Sequence, residues 1–124
     1  MYNNSIKQGE KTLLYNPGDF ATPMNFDFEI TSAGNGYAKI SVLNEEEVLA
    51  GLIIRADSLQ PGIIYHFDSE KKLITNGNEV INYIIIAGDF FYVPFARNDK
   101  IKLSCEASGV ECKISNIKYD YLYR

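Results

Sequence analysis

The sequence has no tryptophan, one histidine, two cysteines and four prolines in 124 residues. Each shortage excludes something. The single histidine, His66, leaves no second imidazole for a zinc site and no set of partners for a Ser/His/Asp arrangement. Two cysteines are too few for a disulfide scaffold, and in a chain made in a reducing cytosol they stay thiols. Without tryptophan, a saccharide site would lack its largest stacking surface. No apolar run approaches the ~18 residues of a membrane span; the densest, residues 80–87, is broken by Asn82 and Tyr83. Positive charge is in deficit as well, with 12 Lys and Arg against 16 Asp and Glu and a net charge of −4. The chain therefore lacks the basic footprint of a nucleic-acid binder and the polybasic anchor of a membrane-surface protein. Residues 1–11 are polar and carry no signal-peptide core. Neither a Gly-rich phosphate loop nor a nucleophile elbow nor a redox Cys pair is present.

What is abundant is strand material. Fifteen Ile, five Val, seven Phe and nine Tyr make up 36 of the 124 residues, alongside the Asn and Gly that turns need. Phe26, Phe28 and Ile30 alternate with Asn25, Asp27 and Glu29, the period of a half-buried strand. Ala38, Ile40 and Val42 repeat the pattern, as do Ile63, Tyr65 and Phe67, and Ile101, Leu103 and Cys105. Residues 80–86 and 90–93 are more continuously apolar and predict strands covered on both faces. Residues 48–55 predict a strand, with a capped helix after Asn44 as the alternative. The predicted core includes Phe26, Phe28, Ile40, Val42, Ile53, Phe67, Ile84 and Leu103.

Turn signals punctuate these runs. Asn16-Pro17-Gly18 and Gln60-Pro61-Gly62 have the chemistry of type II turns, Asn76-Gly77 that of a tight hairpin, and Ser108-Gly109 a weaker version of it. The last would place Cys105 opposite Cys112 on paired strands. Cβ atoms there lie about 4.5–5.5 Å apart, wider than the ~3.8 Å of a disulfide. Two thiols are the expectation, with a strained bridge as the alternative. The whole pattern reads as an all-β antiparallel β-sandwich.

Chemical candidates are few. His66 reads as a strand residue. Asp27 and Glu29 are paired carboxylates on the polar face of a strand, where acids are ordinarily just solvated. Asp68, Glu70 and Asp89 lack the spacing of a calcium loop. No catalytic residue, cofactor site or metal site is assigned. Tyr119, Tyr121 and Tyr123 alternate with Asp120 and Leu122, which predicts three phenols on one strand face. They are the candidate contact for a protein or a glycan.

Four segments in order resemble the C-terminal domain of the phage distal tail protein, a siphovirus-type tail component. They are Leu14-Tyr15-Asn16-Pro17-Gly18-Asp19 with the strand after it, residues 63–72 followed by Asn76-Gly77, Gly88-Asp89-Phe90-Phe91-Tyr92-Val93-Pro94, and the Tyr-rich end at residues 117–123. The resemblance runs from about residue 13 to the terminus. It departs at Phe95-Ala96-Arg97-Asn98-Asp99, which lacks the family's Gly-containing turn.

The resemblance implies a galectin-like or jelly-roll sandwich over residues 13–124, preceded by an N-terminal extension over 1–12. It further implies a non-enzymatic module of a phage or prophage tail tip, made in the bacterial host cytoplasm and partnered by other tail-tip or baseplate proteins. The family's ring-forming N-terminal domain does not fit in a chain of this length, so a monomer or weak oligomer is expected. A carbohydrate-binding sandwich that recognises a bacterial surface glycan is the alternative.

Overall fold

The computed structural model describes residues 5–124; the first four residues of the expected extension lie outside that range. Eleven strands are present among the described residues: β1 (Ile6–Lys7), β2 (Lys11–Leu13), β3 (Thr22–Ser32), β4 (Tyr37–Asn44), β5 (Glu47–Arg55), β6 (Tyr65–Asp68), β7 (Leu73–Thr75), β8 (Ile85–Gly88), β9 (Tyr92–Val93), β10 (Ile101–Ser108) and β11 (Glu111–Tyr119). They form two antiparallel sheets. One runs β1-β11-β3-β6-β7, with β9 paired to the start of β3, and the other runs β2-β10-β4-β5-β8. Residues 5–12 are packed onto this frame: β1 pairs with β11 and β2 with β10, so the segment gives an edge strand to each sheet.

The alternation read from sequence builds the core. Met24, Phe26, Phe28 and Ile30 of β3 face inward while Asn25, Asp27 and Glu29 face out. Phe67 of β6 stacks on Phe26 with ring centroids 4.7 Å apart and lies 5.9 Å from Phe28. Ile40 and Val42 of β4 and Leu103 of β10 close the core from the other sheet. Burial of this continuous apolar layer is the main favourable contribution to folding.

Several expectations are corrected. Ile53 is not a core residue; its neighbours Leu52 and Ile54 are buried. The run Leu52-Ile53-Ile54 has no polar member to mark the outward position. Residues 80–86 are not a strand covered on both faces. A bridge at Val80 leads into a 3-10 turn over Asn82–Ile84 and then to β8, at the edge of its sheet. Asn82 makes this break: its Oδ1 accepts from the Ile74 N–H at 2.7 Å and its Nδ2 donates to the Lys72 carbonyl at 2.8 Å. Val80, Tyr83 and Ile86 are left exposed. Of residues 90–93, only Tyr92–Val93 are strand, and the strand holding Phe67 begins at Tyr65, leaving Ile63 outside it. The Asn76-Gly77 signal does make a turn, but the loop is four residues long, closed by the Thr75–Val80 pair. Asn76 Oδ1 accepts from the N–H groups of Asn78 and Glu79.

Ser108-Gly109 does not join a hairpin. β10 and β11 lie in different sheets, and the turn carries the chain from one to the other. Gly109 takes φ +79°, and a side chain on it would strike the Asn35 carbonyl at 2.2 Å, so the crossover requires glycine there.

Candidate functional site: the aromatic end of the sandwich

The three tyrosines do not share a strand face. β11 ends at Tyr119, and Tyr121 and Tyr123 belong to an irregular tail. The tail ends the pairing because it turns onto residues 16–20. The Asp19 N–H donates to the Leu122 carbonyl at 2.7 Å, and the Arg124 N–H donates to Asp19 Oδ2 at 3.1 Å. The Tyr119 hydroxyl donates to the Tyr15 carbonyl at 3.1 Å. The Tyr121 ring packs edge-on against Tyr15, with centroids 6.2 Å apart at 88°, and lies 6.2 Å from Tyr119. Tyr123 makes none of these ring contacts and is 60% exposed.

Asn16 is the keystone of this end. It is 1% exposed. Its Nδ2 donates to the carbonyls of Phe20 and Val93, each at 3.1 Å, and its Oδ1 accepts from the Gly18 N–H at 3.1 Å. Its backbone bridges to Ala96. A buried amide with its donors and acceptor satisfied stabilises one conformation, because each competing arrangement strands a polar group. Gly18 does not take the positive φ that a type II turn demands of its third residue. Glycine serves a different purpose here: a Cβ on it would lie 2.5 Å from the Leu122 carbonyl oxygen. Arg97 ties residues 16–20 to the 94–98 loop, reaching the Pro17 carbonyl at 3.2 Å and Asp19 Oδ1 at 3.1 Å.

The result is a hydrogen-bonded frame that presents Phe20, Phe95, Tyr121, Leu122 and Tyr123, all exposed, at one end of the molecule. The Arg124 guanidinium sits 5.9 Å from the Phe20 ring centroid. Beside the frame lies an open cleft of about 410 Å³, lined by Asn25, Asp68, Glu70, Lys118, Tyr119 and Asp120 among others. The tyrosine alternation pointed to this region. Asn16, Phe20, Phe95 and Arg97 left no periodic signal, because their contacts span about eighty residues of chain or join loops.

The other chemical candidates are placed apart. Asp27 Oδ1 lies 2.6 Å from His66 Nδ1, and its Oδ2 accepts from Asn116 Nδ2 at 2.8 Å. Glu29 pairs with Lys113 at 3.6 Å. The two carboxylates thus have separate partners on the outer face of the sheet. Asp68 Oδ1 accepts from the N–H groups of Glu70 and Lys71 and shapes the β6–β7 turn. Among the described residues no three His, Cys, Asp or Glu converge to hold a metal ion. No helix among them is long and apolar enough to cross a membrane.

The two-sheet fold has a counterpart among solved phage proteins. A solved structure it matches is that of the SPP1 Dit (gp 19.1) protein, described as a paradigm of the hub adsorption apparatus in phages that infect Gram-positive bacteria. The TM-score is 0.61 at 11% identity, over 91% of this chain and 46% of that one. The chain thus spans about half the length of that protein, and at this identity the likeness is one of fold. No family model matches the sequence, and no curated protein does.

Proposed function

We propose that this chain is a non-enzymatic structural module of a phage or prophage tail tip, at the periphery of the distal tail or baseplate hub. The observation that carries the reading is the fold match to a hub protein over nearly the whole chain. On this reading the sandwich is galectin-like or jelly-roll in type, a single domain over residues 13–124 with the preceding segment strapped onto it. It is made in the bacterial cytoplasm and assembled into the virion tail tip. Its partners are other tail-tip or baseplate proteins, with no cofactor, metal, nucleic acid or membrane in the role. The isolated chain is a monomer or weak oligomer, since a stable interface buries more than ~1,000 Å² in total.

The contact falls on the aromatic end, through Tyr119, Tyr121 and Tyr123. Exposed aromatics on a hydrogen-bonded frame give large contact area at low entropic cost, and such residues dominate binding energy at interfaces. The test is co-sedimentation with the proteins encoded beside it. A complex is expected, weakened at least tenfold by Tyr121→Ala with Tyr123→Ala, while the circular dichroism spectrum is unchanged. Full-strength binding by the double variant would remove the aromatic end from the proposal, and no complex with any neighbour would remove the tail-tip role.

The cleft beside Tyr119 supports a second reading, a carbohydrate-binding sandwich. Asp68, Asp120, Asn25 and Lys118 offer acceptors and donors next to a phenol. Micromolar binding to bacterial surface glycans, lost in Asp120→Ala, is the outcome that would favour it.

A further inference from the structure

Cys105 lies in β10 of one sheet and Cys112 in β11 of the other, so the two thiols meet across the core rather than along a ladder. Both are 0% exposed, and their sulfurs are 3.7 Å apart. The chain has no other cysteine, so each has one thiol partner within the molecule. The segment between β1 and β2 is bonded to the backbone of both cysteines. The Gly9 N–H donates to the Cys105 carbonyl at 2.7 Å, and the Cys105 N–H donates to the Glu10 carbonyl at 3.2 Å. The Gln8 N–H donates to the Cys112 carbonyl at 3.1 Å, and the Cys112 N–H donates to Gln8 Oε1 at 2.9 Å. Strands of two and three residues anchor this strap on either side, the kind of edge element that opens without global unfolding.

We propose that Cys105 and Cys112 form a modification site, a buried dithiol that closes to an inter-sheet disulfide when the protein meets a peroxide outside a reducing compartment. The sulfurs need to approach by about 1.7 Å to reach the ~2.0 Å of an S–S bond. The Cys112 thiolate attacks one oxygen of hydrogen peroxide, the O–O bond breaks, and the departing hydroxide is protonated to water, leaving Cys112 as a sulfenic acid. The Cys105 sulfur then attacks the Cys112 sulfur, the S–O bond breaks, and a second water leaves with the proton from Cys105. Two thiols are oxidised by two electrons and one peroxide is reduced to two waters.

The pair's own contact supports this order of attack. The hydrogen bond to Cys112, together with burial, pushes the Cys105 thiol up, and the same bond draws Cys112 down against its burial, so Cys112 is the thiol drawn toward ionisation.

The experiment uses the full wild-type chain in both redox states. Freshly purified protein, unfolded under a thiol reagent, is expected to show two free thiols. After hydrogen peroxide treatment both are lost, the Cys105 and Cys112 peptides are recovered linked within one chain, and dithiothreitol restores the thiols. The oxidised form is expected to melt roughly 5–10 °C higher, because the cross-link restricts the unfolded chain. Gln8→Ala, which frees the Cys112 N–H from the strap, is expected to speed the oxidation severalfold. Four results would each overturn the proposal: thiols that persist in the folded chain while the unfolded chain oxidises, sulfinic or sulfonic products, a link between two chains, or an oxidised form that melts no higher.

Discussion

Two segments of this molecule have the same local grammar, a polar residue followed by Pro-Gly, and they do opposite things. At Gln60-Pro61-Gly62 the turn is exposed, Gly62 takes φ +86°, and nothing lies within 4 Å of where its side chain would be. Its main tie is short-range, the Gln60 N–H donating to the Tyr65 hydroxyl at 2.9 Å. At Asn16-Pro17-Gly18 the asparagine is buried, the glycine lacks a positive φ, and the backbone of Leu122 presses against it. The first glycine is there for its dihedral freedom and the second for its missing side chain. Local turn chemistry accounts for one segment, and only the tertiary fold accounts for the other.

Substitutions can break this contrast in graded steps. Phe28→Ala supplies the yardstick: it removes a ring that is 0% exposed and should cost ~3–5 kcal/mol in chemical denaturation. Asn16→Ala should follow at about 2–4 kcal/mol, since it strands the Val93 and Phe20 carbonyls and the Gly18 N–H. An effect below about 1 kcal/mol would show that Asn16 is not the keystone. Gly18→Ala should cost about 1–3 kcal/mol through overpacking against the tail, and proteolysis should then cut near Tyr121 before the core is lost. Gly62→Ala should cost about 1 kcal/mol from left-handed strain alone, with no change in the tail's protection. Equal proteolytic patterns in the two glycine variants would erase the distinction. Arg97→Ala should be the mildest, under about 1 kcal/mol, because the Arg97–Asp19 pair is largely solvent-exposed.

How far the sequence could be read follows the same division. Where polar and apolar residues alternate, as in β3, the strand and its inward face were legible, because period two ties sidedness to composition. Where apolar residues run on, the inward face was not. The pattern names Ile53 as core where the structure buries Leu52 and Ile54, and residues 80–86 hide a 3-10 turn set by the Asn82 side chain. The sequence places Cys105 opposite Cys112 across a hairpin, whereas the two sulfurs meet across the sheets. At the candidate site, the Tyr119-Tyr121-Tyr123 alternation singles out the C-terminal tail. It implied a strand that the bonds between the tail and Asp19 terminate. Phe20 and Phe95, which enlarge that surface, occupy loops and follow no period.

The bonds between the tail and residues 16–20 also set an order of events. Asp19 is joined to Arg124 across 105 positions and Pro17 to Arg97 across 80. Contacts of such separation carry a loop-closure cost that is met only after the intervening chain is organised. During synthesis, residues 16–20 emerge before their partners, and Asn16 lacks the Val93 carbonyl until a further 77 residues have followed. The aromatic end therefore takes its full shape only once the tail has reached Asp19, and a partner that recognised it would read a surface present only on chains whose two distant segments have met.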